Sequence, residues 1–491
     1  MSKIAIDSIL SPIVSSFPAT TELVDLRSGI RLDRSAIWNR VCNRAMALVS
    51  AGVEAGERVV VGQPDGVDFL IDIFACWTAG AVAVAVNPKL TQGEQENVLK
   101  STGAMLWLGP AGVPQPKVVL ADEAAADLSL LQGRSLLLDA PALMLMTSGT
   151  TGIPKGVVHT LRSLAARLAL NIAAIGADDL ARTLNVLPVF FGHGLIGNCL
   201  TALASGGRLH MLSGPSLTEL RDLSGIIDRH DVTFMSSVPS FWPMAMRLSQ
   251  PPAKAPLRVH VGSAPLSLGA WRAIADWTGT QRVFNMYGMT ETANWIGGGS
   301  LDDALAADGF VGRTWGGSIA VLRDYGTVAT SGTGEVLVAT PSIMLGFHGM
   351  EDKTRDAFHG AWFRTGDIGD LGEDGRLRLV GRLKNEINRA GIKIPAEEID
   401  MLLERHPDIV EACAFGLPDP VAGECVAAAF VLAPSASVSD AELQSWCRLH
   451  IRAEAVPTRL FRLEQIPKSD RGKIVRSVVR DAALASREET A

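Results

Sequence analysis

Hydrophobic positions in this chain switch between two periods. Ile37, Val41, Ala45 and Leu48 recur at helical spacing behind Asp33, which can cap a helix start, and Gly52 and Gly56 mark the end. A short buried strand at 59–61, a helix over 66–79 and a strand over 81–86 follow, closing at Asn87-Pro88. This alternation predicts an α/β layered domain. The pattern weakens over 109–140, where Pro and Ala accumulate. An apolar run at 142–146 then reads as a buried strand, 161–175 as a helix, and 183–187, 259–261 and 282–285 as strands. Short strands with glycine turns over 309–379 predict small antiparallel β structure. The last hundred residues mix the periods again. Pro395 stands at the first helical position before the stripe Ile399, Leu402 and Leu403, with strands at 410–415, 424–432 and 459–464 and a helix near 439–453. The expected fold is α/β. A large N-terminal domain of layered sheets and helices covers 1–381, with a β-rich subdomain at about 309–380, and a small α+β domain covers 382–491. No internal repeat is present.

At 491 residues the chain is long enough for about three folded units. Hydrophobic residues make up 47% and charged residues 20%, a balance that allows a sizeable core. The net charge is −7 and no Lys/Arg-rich run occurs, which excludes a nucleic-acid footprint. Cysteines 42, 76, 199, 413, 425 and 447 form no CxxC pair and no Cys/His cluster of metal-ligand spacing, so buried reduced thiols in a cytoplasmic protein are expected. The first seventeen residues include Asp7 and lack a basic start before an apolar run, so no signal peptide is expected. The most hydrophobic stretch, 69–86, contains Asp72 and Gly80 and reads as a buried helix and strand, since a membrane span takes about 20 apolar residues.

Four segments carry the candidate chemistry. Thr147-Ser148-Gly149-Thr150-Thr151-Gly152-Ile153-Pro154-Lys155-Gly156 gathers four hydroxyls, three glycines and a lysine. Glycines let backbone N–H groups turn toward an anion, hydroxyls donate and Lys155 adds positive charge, so the loop suits phosphate. It is not the common P-loop, because Lys155 precedes Gly156 and a β-prone pair rather than Ser/Thr and a helix. The alternative is a plain Gly/Thr surface turn. Thr290-Glu291 sets a hydroxyl beside a carboxylate at a strand end, suited to a phosphate oxygen and Mg²⁺. Asp367 follows a Thr-Gly turn and can accept from a ribose hydroxyl pair, or merely cap that turn. Lys473 ends a Pro-x-x-x-x-Gly-Lys loop. The small-residue turn Gly262-Ser263-Ala264-Pro265 lies at a strand's carboxyl end, where ligands bind in open α/β sheets. Together these point to a nucleoside triphosphate held between two domains.

The sequence resembles the adenylate-forming superfamily of acyl- and aryl-CoA synthetases, peptide-synthetase adenylation domains and beetle luciferases. The 147–156 loop looks like its phosphate loop, Tyr287-Gly288-Met289-Thr290-Glu291 like its adenine and phosphate motif, and Arg364-Thr365-Gly366-Asp367 like its ribose motif. Gly381-Arg382-Leu383-Lys384 looks like its hinge and 467–473 like its catalytic-lysine loop. The five motifs stand in family order over nearly the whole chain. The resemblance implies ATP, Mg²⁺ and coenzyme A as partners, with Thr147, Ser148, Gly149, Thr150, Thr151 and Lys155 on the triphosphate. Ser263, Ala264, Pro265 and Asn285, Met286, Tyr287, Gly288 and Met289 fall to the nucleotide. Thr290 would contact phosphate, Glu291 would ligate Mg²⁺, and Asp367 and Arg382 would hold the ribose. Lys473 would stabilise charge where carboxylate and α-phosphate join. The small domain would be a mobile lid turning near Lys384, with Gly391-Ile392-Lys393 lining the path of the thiol.

Phe191, His193, Val238, Gly262 and Trp295 are the expected acid pocket, apolar and aromatic enough for an aryl or medium-length acyl group. An unpaired His193 there would hydrogen-bond a ring substituent or chain hydroxyl, or else be a satisfied structural histidine. No acidic residue lies between Leu184 and Leu217, which disfavours an α-amino acid. Asn385 stands where many relatives carry an acid after the hinge lysine. The implied activity is an AMP-forming carboxylic acid–CoA ligase. Loading of an acyl-carrier protein is the nearest alternative and a non-catalytic nucleotide-binding module a more distant one. No nucleic acid or membrane span is expected, and monomer and homodimer both remain open.

Overall fold

A computed structural model of the chain describes residues 10–64, 66–109, 128–134, 136–147, 155–323, 326–390, 392–434, 436–469 and 473–488. The expected alternation is there. Helix Arg34–Ser50 starts where Asp33 accepts from the Ala36 amide at 2.8 Å. Helix Gly66–Thr78 and strand Val82–Ala85 are buried almost throughout. Asp72, the charge inside that apolar stretch, is met by Arg44 at 2.5 Å and by Gln63. Burial still pushes its pKa up to about 6, with Arg44 pulling it back. Among the described residues no helix is long and apolar enough to cross a membrane, and the six cysteines are buried free thiols.

Two sheets frame the large part of the molecule. The six-stranded sheet has a parallel centre, Leu106–Leu108, Arg58–Val61, Val82–Ala85 and Pro141–Thr147, and turns antiparallel at Lys155–Thr160 and Gly346–Phe347. The other sheet has a parallel stretch running from Glu22–Asp25 through Arg208–Met211, Arg182–Asn185, Phe234–Ser237 and Arg258–Gly262 to Val283–Met289. It continues antiparallel through Asn294–Ser300 and Phe310–Thr314 into the β-rich segment. That segment is therefore an extension of one fifteen-stranded sheet. Local pattern shows strands and turns but not which edge a hairpin joins.

Some boundaries differ from the pattern. The strand expected to stop at Asn285 runs to Met289, so the Tyr287 motif is strand and only Thr290–Thr292 turns away. Pro395 closes the strand Ile392–Pro395, and the helix begins one residue later, Ala396–Leu403. The helix near 439–453 is Asp440–His450. Most of the 109–140 connection lies outside the described residues.

After the turn Leu383–Asn385 comes a separate five-stranded sheet with helices Ala396–Leu403, Asp440–His450 and Arg476–Glu488 and its own apolar core. It rests against the large sheet through an ion pair between Arg405 and Asp308 and through close backbone approach at Gly381. A Cβ there would sit 2.6 Å from that of Pro395, so the contact requires glycine.

Candidate active site

Strand pairing builds the first half of the cleft. Asp367 and Arg382 are cross-strand partners in the antiparallel pair Trp362–Leu371 and Leu377–Arg382, which sets them side by side. Arg382 Nε lies 2.6 Å from Asp367 Oδ1, and the Tyr287 hydroxyl donates to Oδ2 at 2.7 Å. Asp367 is 3% exposed. Burial raises its pKa above the ordinary carboxylate value, while the Arg382 charge and the Tyr287 hydrogen bond act against that rise. Gly288, next to Tyr287, must be glycine, since a Cβ would meet the Asn294 carbonyl oxygen at 2.3 Å.

Between this pair and the six-stranded sheet lies a cavity of about 440 Å³. Lys155, Glu291 and Arg382 reach it from three motifs far apart in sequence, joined by Met289, Thr365, Lys353, Asp356 and Arg364. Lys155, Lys353, Arg364 and Arg382 line it with Glu291 and Asp356, and of the four cations Arg364 is paired with Glu335 and Arg382 with Asp367. No motif marks Lys353, which the β-rich segment brings in by folding together with Arg364 of the Arg364–Asp367 motif. Burial raises the Glu291 pKa, with Arg382 and Lys155 lowering it. No group of three His, Cys, Asp or Glu gathers for a metal among the described residues. One carboxylate beside a phosphate site is nevertheless an ordinary Mg²⁺ arrangement, since that ion keeps waters and phosphate oxygens as its other ligands.

The phosphate loop leaves strand Pro141–Thr147 and returns in strand Lys155–Thr160, with Thr147 paired to Lys155 across the hairpin. This is the strand-to-strand connection the Gly156-Val157-Val158 pattern implied. Ser148, Gly149, Thr150, Thr151 and Gly391 lie outside the described residues. Asn285 is buried and donates to the Phe310 carbonyl at 2.9 Å, a bond that ties the sheet together. Met286 packs with Trp295 and Phe234 in one apolar cluster.

The expected acid pocket is built around His193, the first residue of a π-helix, His193–Leu200. Such wide turns are uncommon and favour functional sites. Nδ1 lies 2.8 Å from Ser263 Oγ and Nε2 lies 2.7 Å from Ser236 Oγ. Both ring nitrogens are therefore engaged, as in the satisfied-histidine alternative and unlike the unpaired one. Ser263 holds φ 71°, a left-handed conformation uncommon for a residue with a Cβ, at the end of strand Arg258–Gly262. Trp295 stands edge-on to His193 with ring centres 5.3 Å apart, and His193 lies 3.7 Å from where a Gly262 Cβ would be. Val238 follows the strand that carries Ser236. Burial holds the His193 pKa down at about 3, and the positive charge of Lys473 adds to that. The charge of Lys473, from the far end of the chain, is thus felt at His193. Its segment is fastened by a Lys468–Ile474 strand bridge and by the Ser469 amide, which donates to the Lys473 carbonyl at 2.9 Å.

Comparison with known proteins agrees with this geometry. A family described as AMP-binding enzyme matches residues 13–348, and one described as AMP-binding enzyme C-terminal domain matches 398–473. The chain is 28% identical to an oxalate–CoA ligase of Arabidopsis thaliana over 96% of this chain and 98% of that protein. It is 30% identical to a long-chain-fatty-acid–CoA ligase of Mycobacterium tuberculosis over 92% and 93%, and 30% identical to a sulfoacetate–CoA ligase of Cupriavidus necator over 94% of each. Among solved structures, o-succinylbenzoate CoA synthetase of Bacillus subtilis with its acyl-adenylate superposes with a TM-score of 0.82 at 24% identity, covering 94% of this chain and 96% of that one. That likeness establishes the fold.

Proposed function

This chain belongs to the AMP-binding enzyme family, and we propose that it is an AMP-forming carboxylic acid–CoA ligase acting on an aryl or medium-chain acyl carboxylate. The observation that carries the reading is the gathering of Lys155, Glu291 and Arg382 around one cavity beside the Asp367–Arg382 pair. A carboxylate is a weak nucleophile, and both it and ATP are anionic. An ammonium where they join offsets the charge that builds up in the transition state. The acid oxygen attacks the α-phosphorus, the α–β P–O bond breaks, pyrophosphate leaves and acyl-AMP forms. The thiol sulfur of coenzyme A then attacks the acyl carbon and AMP departs.

We assign Lys473, Thr290 and Glu291 to the first step. Lys155 and the hydroxyls of 147–151 grip the triphosphate, and Asp367 accepts from the ribose hydroxyls while Arg382 holds it in place. Glu291 would hold Mg²⁺, which would spread the phosphate charge. The small domain, 382–491, turns about Lys384 between the two steps and exchanges Lys473 for a face that includes Gly391. ATP and coenzyme A are cytoplasmic metabolites, which supports a cytoplasmic enzyme.

A pyrophosphate-release screen over aromatic, medium-chain, long-chain and short polar acids tests the reading. Free coenzyme A and a panel of acyl-carrier proteins serve as acceptors. Release that depends on one acid class and gives a coenzyme A thioester is expected. A flat response to every acid would sink the enzyme assignment, and thioester formed only on a carrier protein would replace coenzyme A as the acceptor.

A further inference from the structure

The turn Thr290–Thr292 presents three backbone carbonyls, and each is met by a donor from elsewhere in the chain. Thr290 O lies 2.7 Å from His159 Nε2. Glu291 O accepts from the Met344 amide at 2.7 Å. Thr292 O accepts from the Ser342 hydroxyl at 2.9 Å. A carbonyl oxygen only accepts, so His159 must carry its hydrogen on Nε2. Its Nδ1 is then the acceptor that faces Ser163 Oγ at 3.4 Å.

Ser342 is oriented in turn by Arg167, which is completely buried. Arg167 Nε and Nη2 donate to Ser342 Oγ at 3.1 and 2.6 Å, and Nη2 donates to Thr340 Oγ1 at 3.1 Å. No carboxylate pairs with Arg167 among the described residues. Burying a guanidinium without an anion is costly, and its hydrogen bonds to hydroxyls offset only part of that, Nη1 having no partner among the described residues. Here they fill the lone pairs of Ser342 Oγ, so the one hydroxyl hydrogen is directed at Thr292 O. Nothing in the sequence pattern marks His159, Ser342 or Arg167; His159 and Arg167 come from the adjoining strand Lys155–Thr160 and helix Leu161–Ile175, and Ser342 from far along the chain.

We propose that His159, Ser342 and Arg167 are positioning residues that lock the turn bearing Thr290 and Glu291, so that Mg²⁺-bound ATP meets a preset carboxylate. With all three carbonyls held, the turn cannot rotate its peptide planes, and the Glu291 side chain leaves the backbone in one direction. The inference rests on the assignment of Glu291 as the metal ligand. Outer-shell groups of this kind change metal affinity without touching the ion.

The test uses the full chain with His159→Phe, Ser342→Ala, Arg167→Met and the donor-retaining His159→Gln. Two quantities are measured: the Mg²⁺ concentration that half-activates pyrophosphate release, and equilibrium binding of ATP with and without Mg²⁺. The first three variants are expected to need about tenfold more Mg²⁺, while metal-free ATP binding and the KM of the acid stay within about twofold. His159→Gln is expected to return toward the parent. If the three variants keep the parent's Mg²⁺ requirement, or lose metal-free ATP binding by the same factor, the proposal is overturned. Should Arg167→Met fail to fold, Ser342→Ala removes a single hydroxyl and decides the matter. Glu291→Gln separates the two levels. An unchanged Mg²⁺ requirement there removes the metal-ligand assignment itself. A raised one beside unaffected clamp variants removes only the clamp.

Discussion

The sites at His193 and Asp367 treat a buried polar group in opposite ways. At the proposed acid site His193 is neutral, with both ring nitrogens answered by the hydroxyls of Ser263 and Ser236. At the proposed ribose site Asp367 has a charged partner, Arg382, and a phenol donor, Tyr287. In the first network both imidazole nitrogens are answered within the protein, the single N–H donating to one serine and the bare nitrogen accepting from the other. The second keeps a charge in the cleft whose oxygens can still accept from a ligand, because a carboxylate has about four lone-pair sites. A neutral network shapes a pocket wall, whereas a charged pair is suited to gripping something that arrives. Four predictions press on this contrast.

The largest effect is expected at neither of these sites but at Lys473. Lys473→Ala should reduce acyl-AMP formation by about a thousandfold, yet spare coenzyme A attack on supplied acyl-AMP. Separate assays of the two half-reactions check this, and adenylate made at the parental rate would contradict the assignment. Asp367→Asn comes next. It removes the anion that Arg382 and Tyr287 address, and should raise the KM for ATP by roughly tenfold to a hundredfold with little change in the KM of the acid. An equal rise in both constants would erase the distinction between the two sites.

The third prediction concerns pH. His193 titrates near 3 and His159 near 4 in the fold, both pushed down by burial. Once unfolded they take up protons below about pH 6.5. The unfolded chain then binds more protons than the folded one, so stability falls as pH drops below 6.5. For His193 the loss is on the order of 2 kcal/mol at pH 5. Asp72 and Asp400, raised to about 6 by burial, oppose it over the same window because their folded forms take up protons first. Urea melts at pH 7 and pH 5 should therefore show His193→Gln losing less stability on acidification than the parent, and equal losses would mean that the neutral network does not resist protonation. The smallest effect belongs to the contact between the domains. Arg405 is 58% exposed in its pair with Asp308, so the pair is worth about 0–1 kcal/mol. Arg405→Ala should slow adenylation about twofold at low salt and not at all at high salt, where exposed charges are screened. A salt-independent defect would point to packing instead.

The sequence by itself determined the order of elements and the identity of the reaction. Helix and strand periods are local, so Arg34–Ser50, Leu161–Ile175 and the flanks of the phosphate loop could be read from side-chain spacing. The resemblance lay in short runs of consecutive residues, so it named Lys155, Glu291, Asp367, Arg382 and Lys473 directly. Tertiary structure decided how those runs meet. Strand register put Asp367 beside Arg382, and one continuous sheet carried the β-rich segment to the cleft, delivering Lys353 and Arg364 with it. It also paired His193 with two serines and gathered His159, the Met344 amide and Ser342 around three carbonyls, with Arg167 behind Ser342. Their hydrogen bonds span 43, 50, 70, 131 and 175 residues of chain, which no local period can encode. Spacing along the chain fixes which side chains share a face of one element. Only packing decides which faces touch, and it is there that a buried donor finds its acceptor.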